Sequence, residues 1–105
     1  MRVTYLSLAV WDLAEIRSCI AANDPDAAQQ IGKRLTQIIN RLSALPNLGK
    51  SGRVFGTREL ITPKIGKTAY VIVYRVKSER IEILRVLPGM RDINRILEEE
   101  PEEQN

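Results

Sequence analysis

Histidine is absent from this 105-residue chain, and cysteine, tryptophan and phenylalanine occur once each. Without imidazole there is no Ser-His-Asp or Cys-His nucleophile chemistry, no ordinary zinc site and no customary general base near neutral pH. Any catalysis would fall to Arg, Lys, Tyr or carboxylates. The composition therefore favours binding over chemistry, with no cofactor and no metal expected. The lone Cys19 excludes an internal disulfide framework and fits a reducing cytoplasm. No apolar run approaches the roughly 20 residues of a membrane helix. The opening Met-Arg-Val-Thr-Tyr-Leu lacks the apolar stretch and cleavage site of a secretory signal. A cytoplasmic protein with no membrane contact is expected.

What the chain has is an ordinary globular composition, 44% hydrophobic and 28% charged. Its length suits one domain burying roughly 60–70% of its unfolded surface. The net charge of +3 conceals a segregated distribution. Residues 1–50 carry six Lys/Arg against four Asp/Glu, a balance of +2. Residues 51–95 carry ten against four, a balance of +6, and residues 96–105 carry none against five glutamates. A basic middle points to an acidic partner, either nucleic acid or a protein segment; the plainer alternative is a solvated sheet surface with an acidic tail.

Residues 2–6 alternate and read as a short strand. Ser7 is placed to cap a helix reaching Ala22, with Ala9, Leu13, Ile16 and Ile20 on one face. Asp24 and Pro25 open a second helix as N-cap and first-turn proline. Its stripe of Ala28, Ile31, Leu35, Ile38, Leu42 and Leu45 predicts five turns ending near Pro46. Residues 46–57 form a glycine-rich basic loop whose spacing matches neither phosphate-binding fingerprint. Strands are predicted at Arg58–Thr62, Ala69–Val76 and Ile81–Leu87. The second of these is apolar on both pleat faces, so both must be covered. The helix hairpin can cover one; the other calls for a partner, a dimer or the C-terminal helix. That last helix, Arg91–Glu100, has Arg early and Glu late, against its dipole. The fold class is α+β: an N-terminal strand, an antiparallel helix hairpin, a three-stranded antiparallel meander completing one antiparallel sheet, and a short C-terminal helix. One domain over 1–97 and a disordered acidic tail over 98–105 are expected.

Several stretches, taken in order, resemble the RelE/ParE superfamily of toxins from type II toxin–antitoxin pairs. They are Ala9-x-x-Asp12-Leu13-x-x-Ile16, Ala28, Leu45-Pro46-x-x-Gly49, Arg58-Glu59-Leu60, Tyr70 to Val76, and Ile83-Leu84-Arg85-Val86-Leu87-x-Gly89-x-Arg91-Asp92. The resemblance covers about residues 3–97 and is nearest the ParE branch. Many relatives have histidine where this chain has Pro88, which neither titrates nor donates a backbone hydrogen bond.

The resemblance implies one of two activities. ParE-like members bind DNA gyrase and trap it on cleaved DNA without catalysis of their own; RelE-like members cleave mRNA on the ribosome with basic residues and often a C-terminal aromatic. Both kinds are neutralised by an antitoxin. Cleavage needs a base for the 2′-hydroxyl and an acid for the leaving oxygen. With no histidine and no aromatic in the last helix, the ParE-like reading is preferred: no enzyme, gyrase as target, no direct DNA or RNA binding, and a hetero-oligomer with a cognate antitoxin. The alternatives are a ribosome-dependent mRNA interferase, with Arg58, Arg75, Arg85 and Arg91 gripping phosphates aided by Lys64 or Lys67, and a non-toxic relative. Candidate antitoxin- or target-binding residues are Trp11, Arg58, Tyr74, Arg75, Arg85, Arg91 and Asp92. Trp11 lies off the apolar face of its helix. Tyr74 is mid-strand, in the core or under a partner. Whether Arg75 and Arg85 face solvent or the helices is left open.

Overall fold

The helix signals act locally as their chemistry dictates. The computed structural model describes residues 1–99. Strand β1, Arg2–Tyr5, leads into α1, Ser7–Ala21, and then α2, Pro25–Asn40. The Asp24 carboxylate accepts from the Ala27 N–H at 3.1 Å with Pro25 in the first turn, as expected of an N-cap. Ser7 is not the cap of α1: Leu6 holds that position in extended conformation and makes no side-chain cap hydrogen bond. Helix α2 also stops earlier than its stripe suggests. A 3-10 turn, Arg41–Ser43, follows Asn40, so Leu42 stays buried while Leu45 is 49% exposed.

The rest of the chain builds β2 (Lys50–Ser51), β3 (Arg58–Ile61), β4 (Tyr70–Val76), β5 (Arg80–Pro88) and α3 (Ile93–Glu99). The five strands form one sheet in the order β1-β5-β4-β3-β2. Two features correct the sequence reading. The sheet is mixed, because β1 runs parallel to β5, with Val3 opposite Ile81 and Tyr5 opposite Ile83. The Leu6 N–H extends that pairing to the Ile83 carbonyl at 3.0 Å. Alternation fixes which face a residue takes, but it carries no information about strand direction. The loop 46–57 also contains β2, too short to show a period and defined only by Lys50–Glu59 and Ser51–Arg58 pairing.

The helix hairpin covers one face of the sheet. Ala9, Ile16, Ile31, Leu35, Ile38, Ile39 and Leu42 pack on Tyr70, Ile72, Tyr74, Ile81, Ile83 and Val86. On the other face Val71, Val73 and Leu87 meet Ile93, with Leu84, Ile96 and Leu97 around them. The second cover required by the two-faced β4 is therefore α3. Glu98 and Glu99 belong to that helix; the rest of the expected acidic tail lies outside the described residues.

Leu35 and Leu45 share one stripe in the sequence but not in the fold. Leu35→Ala, at a fully buried site, is expected to cost about 2–5 kcal/mol by cavity creation. Leu45→Ala should cost well under half as much, both read from urea unfolding. Equal losses would refute the early end of α2.

Candidate functional site

The conspicuous buried charge is Asp12, on the sheet-facing side of α1. Its Oδ2 accepts from Arg85 Nε at 2.7 Å and from the Val86 N–H at 2.9 Å, and its Oδ1 accepts from Arg85 Nη2 at 2.7 Å. Both side chains are almost wholly buried. The pairing of β4 with β5 shifts here: Val73 lies opposite Arg85 but Tyr74 opposite Ile83, leaving Leu84 as the extra residue of a bulge. Arg85, opposite Val73, is thus held by its side chain to Asp12 of α1. The sequence left open whether Arg85 faces solvent, and the structure places it in a buried ion pair.

Of the two places the sequence left open for Tyr74, the core is the one it takes. It is fully buried, and its hydroxyl donates to the Pro46 carbonyl and accepts from the Gly49 N–H, both at 2.8 Å. A Cβ at Gly49 would lie 2.8 Å from the Tyr74 hydroxyl and from the Glu59 carbonyl, so only glycine permits this approach. Burial raises the Tyr74 pKa against the lowering influence of that hydrogen bond and of Arg58. Burial likewise raises those of Tyr5 and Tyr70. None of the three tyrosines is poised as a base.

Two further buried carboxylates are held by arginine. Glu82 accepts from Arg75 Nε at 2.6 Å and from Arg80 Nε at 2.9 Å. The Arg75 hydrogen bond, opposed by burial but joined by Arg80, holds the Glu82 carboxyl below its ordinary range. Arg75 is thus occupied within the sheet. Glu59 accepts from Arg53 Nε and Nη2 at 2.8 Å and from the Arg53 N–H at 2.9 Å. Burial alone would raise its pKa, but Arg53's hydrogen bonds and charge, with Lys50, outweigh that and lower it. Arg58, half-buried, donates through Nη1 to the Gly49 carbonyl.

A cleft of about 690 Å³ opens between the β3–β4 turn and the β5–α3 connection. Lys64, Lys67 and Arg91 supply its charge, and Ile61 and Met90 its apolar rim. Asp92 is also there, but its Oδ1 accepts from the Arg95 N–H at 3.3 Å, at the start of α3. Of the seven candidates, only Arg91 and Asp92 are brought together in this cleft. Trp11 is on the far side of the sheet, on the outer face of α1, where it and Val10 are each 54% exposed. The sequence reading missed Arg53 and Phe55. The available signal was a sole phenylalanine in a polar, glycine-bounded loop. Among the described residues, no group of three or more Cys, Asp or Glu side chains is arranged to hold a metal, and no helix is long and apolar enough to cross a membrane.

Residues 3–93 match the family described as the ParE toxin of the type II toxin–antitoxin system parDE. The chain belongs to the ParE toxin family. It is 36% identical over 86 residues to a Sinorhizobium fredii protein named as a toxin, Y4kP, covering 82% of this chain and 85% of the relative. It is 32% identical over 71 residues to the toxin RelE1 of Caulobacter vibrioides, covering 68% of this chain and 74% of that one. A solved chain from the chromosomal ParDE system of P. aeruginosa shares the fold, with TM-score 0.71, 23% identity, and coverage of 84% of this chain and 95% of the other. In this ParE-family chain, Asp12 and Arg85, both within the stretches that carried the resemblance, are partners in one buried clamp.

Asp12→Ala strands the buried Arg85 guanidinium and is expected to cost about 3–5 kcal/mol. The double variant Asp12→Leu/Arg85→Met should recover most of that loss in urea unfolding. No recovery would mean that packing at these positions, not the charge, was lost. A second outcome concerns acid. Because the folded Glu82 pKa lies below its unfolded value, its contribution is complete above about pH 5. It shrinks as pH falls through the unfolded carboxylate value of about 4.3 and vanishes below the folded one. Glu82→Gln should therefore be less stable than the parent at pH 7 and lose less stability between pH 6 and pH 3. A parallel acid profile would remove Glu82 from the account.

Proposed function

We propose that this chain is a toxin that inhibits DNA gyrase by binding it as a protein, without catalysis of its own, and that a cognate antitoxin neutralises it. The observation that carries the reading is where the chemically capable side chains are spent. Arg75 and Arg85 are committed to buried carboxylates, and the three tyrosines have pKa values raised by burial. The cleft offers cations to hold an anion, but its carboxylate, Asp92, bonds to the start of α3. An acid–base pair for RNA cleavage is hard to assemble from such groups.

The antitoxin part rests on family membership and on the origin of the P. aeruginosa neighbour in a ParDE system. Trp11 and Val10 give α1 an apolar outer patch suited to a helix or strand of an antitoxin, and an acidic antitoxin would complement the positive chain. Hetero-oligomer formation in the cytoplasm follows from the same reading. The runner-up, a ribosome-dependent mRNA interferase, is favoured by one feature: the convergence of Lys64, Lys67 and Arg91 on a single cleft able to take phosphates.

Purified chain assayed for gyrase supercoiling, and separately for ribosome-dependent mRNA cleavage, distinguishes the readings. Inhibition with trapped cleaved DNA and intact message is expected. Cleaved message with unaffected gyrase would replace the proposal by the runner-up, and silence in both would leave an interaction-only relative.

A further inference from the structure

Phe55 is the most exposed large apolar side chain described, with a relative exposure of 102%. Its place is the tip of the β2–β3 hairpin, beside Val54 at 41% exposure. Scattered surface apolar residues need no explanation, but this one is presented on a rigid mount. The Gly52 N–H donates to the Thr57 carbonyl at 2.8 Å. The Thr57 hydroxyl donates to the Val54 carbonyl at 2.6 Å. Gly56, at φ +83°, turns the chain directly after the ring, and nothing lies within 4 Å of where its Cβ would be. At the base of the tip, Arg53 is fixed to the buried Glu59 and reaches Asn94 Oδ1 of α3 at 3.0 Å. The ring thus projects from a loop tied to both the sheet and the last helix.

Arg53 also lines the basic cleft, joining the hairpin base to Lys64, Lys67 and Arg91 on one side of the molecule. Met90, 81% exposed, and Ile61, 53% exposed, add apolar surface there. This is the pattern of a protein interface: an aromatic anchor on a backbone that is already ordered, beside charges that select an oppositely charged partner. A nucleic-acid site would present such a ring flat within the basic groove for stacking, whereas Phe55 stands at the hairpin tip and does not line the cleft.

We propose that the Phe55 tip and the cleft bearing Lys64, Lys67 and Arg91 form the target-docking surface, distinct from the Trp11 face, and that its occupant is an apolar pocket rimmed by carboxylates on the gyrase protein. The identity of the occupant rests on the function proposed above; the anchor itself does not.

The test compares wild type, Phe55→Ser and Phe55→Leu in gyrase supercoiling, in growth arrest on induced expression, and in binding to a 20-base-pair duplex. Phe55→Ser should keep the parental urea midpoint yet need roughly tenfold more protein for half-inhibition, while Phe55→Leu retains most of the potency. Phe55→Ser inhibiting as wild type does would overturn the proposal. Loss of duplex binding in step with loss of inhibition would also overturn it, in favour of a stacking role. If wild type arrests growth without affecting gyrase, the gyrase reading falls. The anchor then stands if Phe55→Ser blunts the arrest and falls if it does not. A wild type silent in both assays overturns anchor and target together.

Discussion

One carboxylate joins the two layers of this fold. Asp12 projects from α1 onto β5 and collects three donors, two from Arg85 and one from the Val86 backbone. An unpaired charge at that depth would be prohibitive, so the pair constrains its surroundings. The Leu84 bulge follows from that constraint. It allows Ile83 and Val86 both to pack under the helix hairpin while Leu84 and Leu87 pack against α3. Regular alternation would have placed Val86 on the opposite face from Ile83. The helix hairpin is thereby set in one position on the sheet, at a point where hydrophobic packing alone would tolerate sliding.

The same arrangement recurs at Glu59 with Arg53 and at Glu82 with Arg75 and Arg80, and it changes what the charge distribution means. Four of the ten basic residues between 51 and 95 are tied to three buried carboxylates. The positive balance of that region is real, but its contact surface is narrower than the count suggests. It is carried by residues such as Lys64, Lys67 and Arg91 around one cleft. Sequence arithmetic registers charge and not burial, so it pointed to a broad basic sheet where the fold offers a local basic cleft.

The helices were legible because a period of 3.6 with Asp24-Pro25 at its start has few other solutions. The run Tyr70–Val76 was equally informative, since a strand apolar on both faces demands two covers, and α3 supplies the second. Strand direction, the two-residue β2 and the bulge were not legible. Each depends on pairing between segments distant in sequence, which a local pattern does not encode. Tyr74 shows the limit well. Its position marks it as apolar filling, yet its hydroxyl serves Pro46 and Gly49, 28 and 25 residues away. Arg85 reads as a surface cation until Asp12, 73 residues away, is placed beside it.

Pro88 shows how the strand ladder accommodates a missing donor. A proline near the end of an interior strand removes a backbone donor, and here that loss does not harm the ladder. Opposite it, Tyr70 directs its N–H to Thr62 Oγ1 at 2.9 Å and its carbonyl to the Thr62 N–H at 2.8 Å, both away from β5. Pro88 therefore occupies a position where no N–H is called for, and the next pairing resumes from the Gly89 N–H to the Ala69 carbonyl at 2.8 Å. The backbone would accept histidine or proline alike. Pro88 pairs with Tyr70, whose ring packs under the helix hairpin, and it is not among the residues that line the cleft. Past β5 the basic cleft is therefore built from Gly89 onward, without a side chain from position 88.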